Sequence, residues 1–161
     1  MRGSIILLLA LAGCAKSSAI PLSNDTIQLT TGAAPVCGQV GAQAVAGKQA
    51  AIETIRRGYD RFAISGGQYT NDVQVIGYTP VQANTVTTGS VHAYGNSAYG
   101  SARSNTMVTG GEPIIGGTHN QGLIVKMFKA DDPAGSNAVD ARASLGPDWA
   151  KYVESGVNTC M

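Results

Sequence analysis

Histidine, aspartate, serine and tyrosine are the residue types here that could do chemistry, and their spacing limits what that chemistry is. The two histidines, His92 and His119, stand in no H-E-x-x-H or comparable metal-ligand spacing, so each reads as a solvent-facing polar residue. Gly89-Ser90-Val91-His92 sets a hydroxyl near an imidazole in sequence. A serine nucleophile also needs a shaped turn of the G-x-S-x-G kind, which the chain lacks. An enzyme reading would therefore assemble its site from residues distant in sequence, around His92, His119 and Asp72. Asp131-Asp132 with Asp140 does not match a calcium loop and reads as an acidic turn beside Pro133 and Gly135. The pairs Gly110-Gly111 and Gly116-Gly117 lack phosphate-loop context and read as turns. Neither a metal nor a cofactor is expected. Tyr94 and Tyr99, in the near-repeat Ala93-Tyr94-Gly95-Asn96 and Ala98-Tyr99-Gly100-Ser101, are the candidate ligand-binding residues, because an exposed phenol ring can stack on a sugar or peptide. The plainer reading of the same residues is an edge hairpin with a turn.

The start of the chain carries an address. Met1-Arg2 is a short positive start, Ser4 to Gly13 an apolar run, and small residues then precede Cys14, which is the signal-peptide pattern. The run is about half the roughly twenty residues that span a bilayer. Leu11-Ala12-Gly13-Cys14 resembles the bacterial lipobox. The resemblance implies cleavage after Gly13, diacylglyceryl attachment to the Cys14 sulfur and acylation of the new amino group, palmitate being a typical chain. Ala15 is not the aspartate associated with inner-membrane retention, so the resemblance favours the outer membrane. Residues 14–35 are rich in Ser, Thr, Ala and Pro without sustained period, and read as a lipidated flexible tether; Thr26 to Thr30 could still form a short strand.

With Cys14 taken by lipid, Cys37 and Cys160 remain of the three cysteines, an even number in an oxidising compartment, and they are expected to form a disulfide. Charge excludes another class of partner. Lys and Arg number 11 against 10 Asp and Glu, and loss of a leader holding Arg2 balances them, leaving no basic field for nucleic acid. Arg56 and Arg57 read as cations at a helix end rather than as DNA contacts.

The elements that must position these residues follow from periodicity. From Gln39 to Arg57, Val40, Ala44, Gly47, Ala51 and Ile55 recur at helical spacing, with Gly58 as the stop. Tyr59 to Ile64 alternates as a strand broken at Gly66-Gly67, and Asp72 to Tyr78 forms another, ended by Pro80. Ala83 to Thr109 reads as two long, largely exposed strands joined near Asn96. Leu123 to Phe128 reads as a central strand covered on both faces. Asn137 reads as a helix cap, with Val139, Ala143, Trp149, Tyr152 and Val153 packing a C-terminal helix broken at Pro147. These predict an α+β fold, with a mostly antiparallel sheet of about four to six strands packed by one N-terminal helix and a short broken C-terminal helix. The expected organisation is a signal peptide over 1–13, a tether over 14–35 and a single periplasm-facing domain over 36–161.

Two stretches, Ala51 to Phe62 and Val125 to Phe128 continuing to Asn137-Ala138-Val139-Asp140-Ala141-Arg142 and Leu145-Gly146-Pro147-Asp148-Trp149, resemble a group of small proteobacterial outer-membrane lipoproteins. The resemblance covers about a third of the chain and implies no catalytic residue. The functional expectation is a non-enzymatic interaction or structural module of the cell envelope, held to the membrane by its lipid and facing an envelope protein or cell-wall component. A glycan or small-ligand binder using Tyr94 and Tyr99, and a periplasmic enzyme with a dispersed site, are the alternatives.

Overall fold

A computed structural model describes residues 15–160 of the 161. Cys14, the expected lipidation site, and the expected signal peptide lie outside the described residues. The chain divides into two compact units, one built from residues up to Val73 and from Gly117 onward, the other from Gln74 to Gly116.

The first unit is the expected α+β structure. Strands β1 (Ala15–Pro21), β2 (Thr26–Ala33), β3 (Arg61–Asn71), β8 (His119–Phe128) and the short β9 (Val139–Asp140) form one sheet in the order β1-β2-β8-β3-β9. All four pairings are antiparallel. Helix α1 (Gly38–Arg56) lies on one face, and α2 (Ala141–Leu145) and α3 (Trp149–Ser155) pack beside it. Alternation explains the core: Ile27, Leu29, Thr31 and Ala33 from β2 and Leu123, Val125 and Met127 from β8 point toward α1 and are buried. They meet Ala42, Val45, Ala46, Ala50 and Ile52, whose small side chains let the helix sit close to the sheet. The Cys37–Cys160 disulfide forms, with Cα atoms 5.6 Å apart, and ties the start of α1 to the end of the chain. It lies over Gly41, where a Cβ would stand 3.0 Å from Cys160 Cβ and 3.1 Å from Cys37 Cβ.

Four expectations about this unit change. The tether expected over 14–35 is largely sheet: residues 15–21 and 26–33 form β1 and β2, because Ile27 and Leu29 alternate into the core and β1 supplies β2 with its outer partner. The expected short strand at Thr26–Thr30 is the first part of β2. The helix is where periodicity placed it, but its packing face is turned by about a residue. Val40 is 79% exposed and Ala44 is exposed, while Ala42, Val45 and Ala46 are buried; of the expected stripe, Ala51 is buried and Ile55 packs against the core. So many small residues surround this helix that composition does not single out one stripe. Strand β8 is central and covered fully on the α1 face but only in part on the other, where Phe128 is buried, Ile124 half-buried and Lys126 exposed. The C-terminal helix begins after Asp140, whose carboxylate accepts from Ala143 N–H at 2.7 Å, rather than after Asn137.

Asp60 closes this unit. Its carboxylate accepts from Arg142 at 2.8 Å and from Ala130 N–H at 3.1 Å, and its carbonyl accepts from Ala141 N–H at 2.9 Å. Arg142 also stands over the Trp149 ring, 5.2 Å from its centroid. The stretches Ala51 to Phe62 and Asn137 to Trp149 therefore meet here, where β3 pairs β9. Arg56 donates to the Val153 carbonyl and pairs with Glu53, and Arg57 pairs with Glu53 as well.

The second unit is a β-ribbon. Strands β4 (Gln74–Tyr78) and β7 (Pro113–Gly116) pair, as do β5 (Gln82–Tyr94) and β6 (Ser97–Thr109). Gly110-Gly111 is not a reversal but the interruption between these two ladders. Gly110 takes φ +90°, and a Cβ there would lie 2.0 Å from the Pro80 carbonyl oxygen. The hydrophobic core lies in the first unit, and Gln74 to Gly116 is inserted into its chain as the ribbon.

Candidate functional site

The β5–β6 ribbon positions the two tyrosines. Thirteen residues from each strand pair without a bulge, from Gln82 opposite Thr109 to Tyr94 opposite Ser97. Gly95 at φ +58° makes the first position of a two-residue turn of type II′, which suits the right-handed twist of the strands. Every side chain in both strands is exposed. Thr85 and Thr106 hydroxyls lie 2.9 Å apart and Thr87 and Ser104 hydroxyls 2.8 Å, against 3.5 Å for Ser90 and Ser101. The closer pairs are the ones without mutual backbone hydrogen bonds, where side chains approach more nearly.

Alternation makes the two faces of this ribbon unlike. One face carries Ala, Val, Thr, Ser and Gly only, from Ala83 opposite Val108 to Ala93 opposite Ala98. The other carries every amide, ring and charge: Asn84, His92, Tyr94, Tyr99, Arg103 and Asn105 among them. Tyr94 and Tyr99 thus share a face, with His92 directly across from Tyr99, and are 82% and 72% exposed. Arg103 is the one residue of fixed charge in the two strands.

His119 and Asp72 belong to the first unit. Tyr69 Oη and His119 Nδ1 share a hydrogen bond of 2.5 Å, with their rings stacked at 6.1 Å. Asp72 Oδ1 accepts from Thr118 N–H at 2.9 Å, Thr118 Oγ1 at 3.1 Å and Asn120 Nδ2 at 3.4 Å. Those bonds, the backbone one from Thr118 foremost, hold the Asp72 carboxyl below the usual carboxylate range. Asp72 and His119 are thus each engaged by neighbours other than one another in these contacts. Gln121, on the core side of the sheet, keeps a buried Oε1 without a hydrogen-bond partner. Sequence reasoning missed the Tyr69–His119 pair, because the bulge between Ile64 and Gly66 shifts the register that alternation alone would assign.

Beside Ala15, an open depression of about 570 Å³ is lined by Lys16, Thr30, Gly32, Pro35 and Thr118. It presents one charged group and no titratable pair. Among the described residues, no group of three or more His, Cys, Asp or Glu side chains is placed to hold a metal ion, and no helix is long and apolar enough to cross a membrane.

Comparison with family models, curated proteins and solved structures finds no match. The reading of the site therefore rests on its own geometry. That geometry offers a long, fully exposed ribbon with two chemically distinct faces and an aromatic tip.

Proposed function

We propose that this chain is a membrane-anchored lipoprotein of the cell envelope, outer membrane rather than inner, that acts without catalysis as an interaction module. The observation that carries the reading is the β5–β6 ribbon, in which every side chain is exposed. A two-stranded ribbon is marginal by itself in water, so its length is explained by what it meets rather than by the folding of its own chain. The lipobox-like Leu11-Ala12-Gly13-Cys14 supplies the anchor, and two or three acyl chains make attachment stable where one would be reversible. Because Ala15 already lies in β1, such an anchor would leave almost no spacer between lipid and sheet. The module would act close to the membrane surface.

The test is a photo-reactive side chain in place of Tyr99, expressed in intact cells of the native host, with mass spectrometry of the adducts. A dominant single adduct supports the module. Random abundant neighbours count against it. Tyr94 and Tyr99, exposed on one face beside His92, support a second reading as a glycan platform. Loss of binding to isolated cell-wall fragments when both become Ala would favour that reading, and unchanged binding would remove it.

A further inference from the structure

We infer that the partner of the ribbon is a second copy of this chain, joined along the outer edge of β5 to make a continuous four-stranded sheet β6-β5-β5-β6 about a two-fold axis at Thr88. This deepens the interaction-module reading and rests on it. Among the described residues, β5 and β6 pair only with each other, so each strand keeps one edge of unpaired backbone groups along thirteen residues. Exposed edges of that length are ordinarily blunted by charge, proline or a bulge. Neither strand contains proline or lysine, and the register is unbroken.

The two edges differ in one respect, which selects between them. The middle residue of β6 is Arg103, so two β6 edges meeting antiparallel in register would set Arg103 against Arg103. Like charges directly opposite are destabilising. The middle residue of β5 is Thr88, and β5 holds no residue of fixed charge. An antiparallel β5–β5 pair centred on Thr88 sets Ala83 against Ala93, Thr85 against Val91, and Thr87 against Gly89.

Backbone phase agrees with that pairing. The two-residue turn makes Tyr94 and Ser97 a hydrogen-bonded pair, and alternation then turns the amides of Ala83, Thr85, Thr87, Gly89, Val91 and Ala93 outward. The close hydroxyl pairs at Thr85 and Thr87 obey the same phase. In the two-fold arrangement these outward residues face one another, which is what an antiparallel ladder requires, and about a dozen backbone hydrogen bonds can form. The contact is isologous, the commonest kind in soluble dimers. It also completes the minimum of three or more strands that a free ribbon lacks.

The experiment uses the full mature chain in detergent and in membranes. Thr88→Cys is expected to give a covalent dimer under mild oxidation, because the axis brings the two side chains together; Arg103→Cys and the parent chain are not. Thr87→Lys should raise the monomer–dimer Kd by about tenfold or more, since it adds like charges at the shared edge, with far-ultraviolet circular dichroism unchanged. A parent chain that is monomeric by analytical ultracentrifugation at membrane-like concentration would overturn the inference. So would cross-linking at Arg103→Cys as strong as at Thr88→Cys. If the chain is monomeric while the Tyr99 photo-adduct is a different envelope protein, the inference fails and the interaction module stands; if no specific adduct of any kind forms, both fail.

Discussion

Replacing Cys37 and Cys160 together by Ala tests how the packed domain is held. The disulfide closes a loop with a sequence separation of 123. Loop-closure entropy for a loop of that length corresponds to ~5 kcal/mol at 25 °C, released to the unfolded chain when the bond is removed. Total stability of a domain of this kind is about 5–15 kcal/mol, so the loss takes a third or more of it. The native contacts should change little, because β1 still donates from Ala15 N–H to the Asn158 carbonyl and Val157 stays buried. Urea unfolding followed by the fluorescence of Trp149, the single tryptophan, reads this directly. The expected result is a large fall in midpoint with a somewhat steeper slope, since the uncrosslinked chain exposes more surface when it unfolds. Gly41→Ala supplies the control. In the disulfide-bonded protein its Cβ would crowd Cys160 Cβ at 3.0 Å and Cys37 Cβ at 3.1 Å and destabilise; the double-Ala background keeps both Cβ atoms but loses the bond that fixes them, so they can give way and part of that penalty should relax. A loss below about 1 kcal/mol on removing the bridge would refute the loop-entropy reasoning and point to an unfolded state in which the chain ends already lie close.

Further outcomes are expected from the core and from titration. Ile52→Ala, at a fully buried site, should cost about 2–5 kcal/mol by urea unfolding, while Val40→Ala on the same helix should cost under about 0.5 kcal/mol; equal costs would contradict the packing face described for α1. Gly135→Ala places a methyl 2.6 Å from Phe128 Cβ and should destabilise by about 1–3 kcal/mol. Asp60 is held below its ordinary value of 3.8, first by the hydrogen bond from Arg142. Its folded-state pKa is depressed, so its contribution is fully present above that ordinary value and is lost as pH falls through the lower folded value. Asp25, lowered first by its hydrogen bond from Ser23, and Asp72 act in the same direction. Urea midpoints taken from pH 6 to pH 2 should therefore fall at the acid end, and Asp60→Asn should flatten part of that fall. Tyr94→Ala with Tyr99→Ala should leave the urea midpoint unchanged, because both rings are exposed.

Much of this fold was open to reading without coordinates. The hydrophobic alternation of Leu123 to Phe128, the glycine after Arg57, the long polar run around Asn96 and the even cysteine pair each name a local structure, because each depends on neighbours in the chain or on chemistry with few alternatives. Helix position, the exposed hairpin, the Cys37–Cys160 bridge and the α+β class all follow from such signals. What sequence did not decide depended on contacts between distant segments. Ser-rich residues 15–21 have no core pattern of their own and become strand only because β2 presents an edge to them. The buried stripe of α1 was set by the sheet beneath it and the bridge over Gly41, since alanine and glycine on every side leave helical periodicity degenerate. His119 and Tyr69 met only once the bulge after Ile64 fixed the register of β3 on β8. In the ribbon, the residue types already alternated along the chain; that Tyr94, Tyr99 and His92 share one face, and that Thr88 and Arg103 stand at the centres of two unlike edges, was decided by the turn at Gly95, which sets the register from which both faces and both edges are counted.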